Sequence, residues 1–258
     1  MIPLGQLTSI ADRDKVETRT VERDYVLMHI LSAIYRGEEA GDLVLKGGTL
    51  LRACHFKDYR YSADLDFSLR GDMSVQDAGG LVEGALNWCR DSVGFDLLEL
   101  RERVGYEWRV VYRRPGGAEG RIKLNVADDE LVGEPERVSL LGLYPDVPRD
   151  HEVVAYGLVE VSAEKLRCVM QRVQARDWFD LHYLLVEQRV DAQDAWYLFV
   201  DKATHKGLDP GAFGRKLAER APVYQARWED ELSGYMGEVP PFERVERELR
   251  GKIRPFLN

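Results

Sequence analysis

Between residues 21 and 35 apolar side chains recur at three- and four-residue steps, at Tyr25, Met28, Leu31 and Tyr35. That spacing predicts an amphipathic helix ended by Gly37. Leu43-Val44-Leu45 is a short apolar run leading to Gly47-Gly48, the pattern of a buried strand feeding a tight turn. Thr49 is expected to cap a short helix through about Cys54. Polar and apolar positions alternate from Asp64 to Leu69, and the runs Val104 to Tyr112 and Arg121 to Val126 are rich in β-branched and aromatic residues; all three predict strands. Val75 to Arg90 between them reads as helical. Two glycines and three prolines between Gly133 and Pro148 mark a linker. From Val159 onward the periodicity is helical, with breaks near Gln174-Ala175, Gly207 to Gly211 and Gly234 to Pro241. The expected fold class is therefore α/β (α+β): a mixed-sheet domain over residues 1–150, then a helical domain over 151–258, with substrate in the cleft between them.

Composition narrows the classes. The chain has 258 residues, 45% hydrophobic and 31% charged, enough to bury a sizeable core. No stretch approaches the roughly 20 apolar residues of a membrane span, and Met1-Ile2-Pro3-Leu4-Gly5 lacks the order of a signal peptide, so the expected location is cytoplasmic, without a membrane partner. Cys54, Cys89 and Cys168 form no Cys-x-x-Cys pair, and the five histidines make no His-Glu-x-x-His pattern. A net charge of −9 opposes nonspecific coating of nucleic acid while allowing a local basic groove.

The chemistry gathers in two places. On a strand, Asp64 and Asp66 project to one face while Leu65 and Phe67 point to the core. Two such carboxylates repel unless a cation joins them, and hard oxygen ligands suit Mg²⁺, usually held by one or two carboxylates plus substrate phosphates. Shortly before them, Gly47-Gly48-Thr49 is a turn whose backbone can approach a ligand closely, with N–H groups and a hydroxyl that suit an anion. Each feature has an ordinary reading, a solvated strand face for the acids and a tight turn with a cap for the glycines. Together they point to phosphoryl chemistry. The second place is Glu164 to Arg172, a helix that buries Leu166, Val169 and Met170 and sets Lys165 and Arg172 on one face. Asp177 is expected to cap the following helix, with Asp180 inside it and Arg176 beside the cap; taken alone, this is a solvated basic face before an acidic helix start.

Gly47-Gly48-Thr49 followed by Arg60-Tyr61-Ser62-Ala63-Asp64-Leu65-Asp66-Phe67 resembles the first motif of the AbiEii/MenT nucleotidyltransferase toxins, within the polymerase-beta-like nucleotidyltransferase superfamily. Ala163-Glu164-Lys165-Leu166-Arg167 and Arg176-Asp177-Trp178-Phe179-Asp180-Leu181 resemble the family's later motifs, and Glu22-Arg23-Asp24-Tyr25 is a weaker likeness. The resemblance implies that Asp64 and Asp66 bind divalent metal, Mg²⁺ in a two-metal site with Mn²⁺ as the alternative. It places Gly47, Gly48, Thr49 and Ser62 near the triphosphate. Lys165 would neutralise phosphates, and Asp177 or Asp180 would complete the active site; the motif leaves open which. Arg60, Arg172 and Arg176 are the candidate RNA contacts, with Arg52 and Lys57 in the positive cluster beside Arg60. Tyr59, Tyr61 and Trp178 are candidates to stack a base or to lie in the core.

One departure stands out. Alternation puts Lys123 and Asn125 on one face of their strand, and Asn125 occupies the place where the superfamily commonly has a third carboxylate. An amide is no strong general base, so either Asp128 or Asp180 substitutes or activity is reduced. The function implied is a Mg²⁺-dependent toxin that transfers nucleotides from NTP to RNA, with the tRNA 3′ end as expected acceptor, pyrophosphate as product and a cognate antitoxin protein as partner. Two alternatives are a small-molecule nucleotidyltransferase and a catalytically silent nucleotide-binding protein.

Overall fold

Leu43–Lys46, buried at every position, forms β1, a strand flanked on both sides in its sheet. The computed structural model describes residues 1–96, 98–104, 107–114 and 117–257. The chain divides after Tyr156 into two units, each considered by itself.

Unit 1 begins with α1 (Leu4–Asp14) and α2 (Thr18–Ile34). After β1 come α3 (Gly47–Leu50), β2 (Asp64–Leu69), α4 (Val75–Trp88), β3 (Leu98–Val104), β4 (Glu107–Arg113), β5 (Glu119–Ala127), β6 (Glu136–Ser139) and β7 (Glu152–Ala155). The strands form one seven-stranded sheet in the order β3-β4-β5-β2-β1-β7-β6. Pairs β2/β5 and β1/β7 run parallel and the other four antiparallel, which makes the sheet mixed, as expected.

Alternation explains how β4 and β5 sit. Trp108, Val110 and Tyr112 share a buried face with Ile122, Leu124 and Val126, whereas Arg109, Arg113, Arg121 and Lys123 are exposed on the other. Helix α2 packs on β2 and β5, and Gly79 of α4 lies against the Trp108 ring. Helix α4 starts with a reciprocal cap in which Ser74 and Asp77 satisfy each other's backbone N–H groups.

Unit 2 is helical: α5 (Leu158–Gln171), α6 (Ala175–His182), α7 (Ala192–His205), α8 (Phe213–Leu232) and α9 (Phe242–Ile253). α5 packs on α6, α7 and α8, and α6 on α8 and α9. Trp178, fully buried, meets Tyr224 and Phe242 with ring centroids 4.6 and 5.6 Å away.

Several local expectations change. The segment 133–148, read as a linker, carries β6. Residues 104–112, read as one strand, belong to β3 up to Val104 and to β4 from Glu107, with 105 and 106 outside the described residues. Thr49 caps no helix: α3 already starts at Gly47, and the hydroxyl is used elsewhere. Asp177 is the third residue of α6, whose cap is Gln174.

Candidate active site

The turn after β1 needs glycine for two reasons. Gly47 has φ 78°, a left-handed backbone, and a β-carbon there would lie 2.9 Å from Oδ2 of Asp66. A β-carbon at Gly48 would lie 2.8 Å from Nη2 of Arg60 and 3.3 Å from Oγ of Ser62. The turn is therefore wedged between the Asp66 carboxylate and the Arg60 guanidinium. Thr49 ties it to β2, its hydroxyl donating to the Asp64 carbonyl at 2.5 Å. These contacts bring together Gly47, Gly48, Thr49, Arg60, Ser62, Asp64 and Asp66.

Asp64 and Asp66 are half-buried on one face of β2, with Leu65 and Phe67 buried on the other. Asn125 is the register partner of Asp66 in β5, and its side-chain amide donates to Asp66 Oδ1 at 2.8 Å. On the other side Lys46 of β1 is the register partner of Asp66. The Lys46 ammonium lies 3.7 Å from Glu130 and 5.8 Å from the Tyr156 ring centre. Lys46 escaped the sequence reading, although an ionisable residue ending a buried strand is itself a signal.

Behind the turn, the Arg52 guanidinium is held by Asp24 at 3.0 and 3.1 Å and donates to the Tyr59 carbonyl at 2.8 Å. Tyr144 donates to the same Asp24 carboxylate at 2.8 Å, and Arg52 lies over the Tyr61 ring at 3.8 Å. This buried network gives Asp24 its part, bracing the segment that follows the glycines. It also removes Arg52 from the expected positive wall. Arg60 is likewise only 4% exposed and donates to the Tyr61 carbonyl at 3.0 Å, so it lies under the turn rather than on an RNA-facing surface. Tyr59 and Tyr61 are buried, as is Trp178, which leaves none of the three open to stack a base.

The donor set suits Mg²⁺ in one particular way. Asn125 occupies Oδ1 of Asp66, Oδ2 faces the Cβ-less Gly47, and Asp64 projects beside it. Among the described residues no group of three or more His, Cys, Asp or Glu side chains is placed to hold a metal. A pair of carboxylates is what Mg²⁺ takes when phosphates complete its shell, and is too few for an all-protein cage.

In unit 2 the second cluster is tightly paired. The Lys165 ammonium lies 2.8 Å from Asp177 and 2.7 Å from Asp180. Arg172 reaches Asp177 at 2.7 and 3.1 Å. Both aspartates are fully buried. Burial pushes the Asp177 carboxyl up, but Lys165 and Arg172 outweigh it and hold the group well below the usual carboxylate range. Neither aspartate therefore stands as an open nucleotide contact; both are placed to fix the Lys165 ammonium. Arg176 turns back to the Gln174 side chain at 3.2 Å and lies over the Tyr235 ring at 5.8 Å.

No curated protein matches the chain. MenT4, the nucleotidyltransferase toxin Rv2826c of Mycobacterium tuberculosis H37Rv, is 19% identical with a TM-score of 0.72, covering 100% of this chain and 90% of MenT4. A candidate nucleotidyltransferase of H. pylori is 17% identical with a TM-score of 0.57, covering 94% of this chain and 96% of that one. At such identities the likeness is one of fold. Residues 29–248 match the family described as "Nucleotidyl transferase AbiEii toxin, Type IV TA system", which spans both motif clusters. The chain belongs to the AbiEii nucleotidyl transferase toxin family.

Proposed function

We propose that the protein transfers a nucleotidyl group from an NTP to the end of an RNA, with the tRNA 3′ end as acceptor. The observation that carries this reading is the placement of Asp64 and Asp66 on one strand face, with the Gly47 backbone against Asp66. Asp64 and Asp66 would hold Mg²⁺, or Mn²⁺ in its place, and the backbone N–H groups of Gly47 and Gly48 would receive the triphosphate with Ser62 beside them. A metal held there would supply alignment of the reacting oxygens and offset the charge that develops on them. The acceptor hydroxyl oxygen bonds to the α-phosphorus as the bond to the bridging oxygen breaks; pyrophosphate leaves and one proton is released. In unit 2 we assign Lys165 to the nucleotide's phosphates and Asp177 and Asp180 to holding its ammonium. Asn125 would act as a donor that orients Asp66. A cognate antitoxin is the partner that family membership implies.

The experiment is incubation of the purified protein with α-labelled NTP, total RNA and Mg²⁺. Label should enter an RNA band and fail to do so when EDTA replaces Mg²⁺. Label appearing only on small hydroxylated compounds would move the protein to a different acceptor class.

A further inference from the structure

Ser62 reaches the candidate active site ahead of any strand, because β2 starts only at Asp64. The sheet ladder therefore does not hold it, and side chains carry its placement. Arg60 and Ser62 meet the glycine turn: a β-carbon at Gly48 would lie 2.8 Å from the Arg60 guanidinium and 3.3 Å from the Ser62 hydroxyl. Tyr61, between them, meets other partners. Its ring lies against the Arg52 guanidinium at 3.8 Å, and its hydroxyl donates to Oδ2 of Asp14 at 2.6 Å. Asp14 is the last residue of α1, 47 positions upstream of Tyr61. This helix supplies no residue to the site described above, and it lies outside the residues 29–248 matched by the family.

Helix α1 is itself anchored. Leu7 and Ala11 are buried, the helix packs on α2, and the Ile2 N–H donates to the Tyr25 hydroxyl at 3.1 Å. Burial pushes the Asp14 carboxyl up, but hydrogen bonds from Arg13 and Tyr61 outweigh it and hold the group below the usual carboxylate range. Burial pushes the Tyr61 hydroxyl well up, against the pull of Arg52. One partner thus stays an anion and the other a donor. Such a contact by itself would serve stability alone; its place between two residues that meet Gly48 ties it to the nucleotide. We propose that Asp14 is a positioning residue for nucleotide binding: through Tyr61 it holds Arg60 and Ser62 against Gly48, so that the Ser62 hydroxyl meets the triphosphate. The inference rests on the nucleotide reading above and gives α1 its part in it.

The test titrates the full chain with ATP, CTP, GTP and UTP in Mg²⁺ by calorimetry, follows the nucleotide bound most tightly, and reads the melting temperature beside it. Tyr61→Phe keeps the ring against Arg52 and removes only the hydroxyl. Its dissociation constant should rise about 10-fold, the worth of one hydrogen bond to a charged group. Asp14→Ala should raise it by the same factor, and the double variant by no more. Asp14→Asn keeps an acceptor oxygen and should bind close to wild type. In a Ser62→Ala background Tyr61→Phe should add nothing further, because the effect passes through Ser62; full additivity there would overturn the proposal. A contact that serves stability alone would lower the melting temperature and the number of binding sites while the folded remainder kept wild-type affinity. That result would overturn the proposal, as would wild-type affinity in Asp14→Ala, and either would leave the nucleotide reading standing. A wild-type protein that binds none of the four nucleotides would overturn that reading and the proposal with it.

Discussion

The side-chain amide of Asn125 donates to Oδ1 of Asp66 at 2.8 Å across the parallel strands β5 and β2. Asn125 stands where a third carboxylate was expected, and its amide does what a carboxylate there would not: it stabilises Asp66 without metal. An aspartate in its place would face Asp66 with like charge and lose the hydrogen bond. Asn125→Asp should therefore lower the melting temperature of the metal-free protein, and millimolar Mg²⁺ should recover more of that loss than it adds to wild type. Equal Mg²⁺ shifts in the two proteins would contradict the pairing.

Gly47→Ala tests the turn. Alanine must adopt φ 78° and place a β-carbon 2.9 Å from Asp66 Oδ2. The expected cost is about 1–3 kcal/mol in chemical denaturation, accompanied by loss of transfer activity. Gly94 also has positive φ, yet its β-carbon position is open, so Gly94→Ala should cost stability without comparable loss of activity. Equal activity losses in the two variants would show that the contact with Asp66 is not what matters.

Lys165→Ala should do more than weaken nucleotide binding. It leaves Asp177 and Asp180 buried without the ammonium that lies within 2.8 Å of each, and breaking a buried pair costs about 3–5 kcal/mol. Leu166→Ala, on the buried side of the same helix, should cost about 2–5 kcal/mol and leave NTP affinity unchanged in the folded protein. Denaturation and NTP titration of both variants check this. Wild-type stability in Lys165→Ala would return the lysine to a solvated role.

His29 makes stability depend on pH. It is buried in α2, edge-on to the Tyr25 ring at 4.7 Å, and among the described residues neither ring nitrogen has a hydrogen-bond partner. Burial lowers the imidazole to about 4, against the attraction of Asp146. The unfolded value is about 6.5, so between these values the unfolded chain holds the extra proton. His29 thus contributes stability that is present above pH ~6.5 and falls away as pH drops toward about 4, by roughly 3 kcal/mol in all. His29→Phe should flatten the stability curve across that window; curves of equal slope would contradict it.

The parts of this picture that were legible in the sequence are those written locally. Strand β2 was readable because Asp64 and Asp66 alternate with Leu65 and Phe67. Helix α5 was readable from the spacing of its buried face. Distant partners left no such mark. Arg52 and Arg60 read as surface charges because nothing adjacent in sequence shows that Asp24, 28 residues away, holds one, or that Gly48 packs on the other. β6 and β7 are four residues each, and their pairing, with β7 also joining β1, is a long-range event beyond any local period. Thr49 looked like a cap because the left-handed backbone of Gly47, which starts the helix two residues earlier, is invisible to a side-chain pattern. Asp177 and Asp180 stand out in the sequence by their motif, but their shared hold on Lys165 depends on how α5 packs against α6.

The most direct measurement is transfer of α-labelled NTP to RNA by wild type, Asp64→Ala and Asp66→Ala, with thermal melting of each. Both carboxylates are half-exposed on a strand whose packing comes from Leu65 and Phe67, so both variants should melt within a few degrees of wild type. Both should transfer no label at any Mg²⁺ concentration. Variants that fold normally and still label RNA would contradict the assignment of Asp64 and Asp66 as the metal-binding centre.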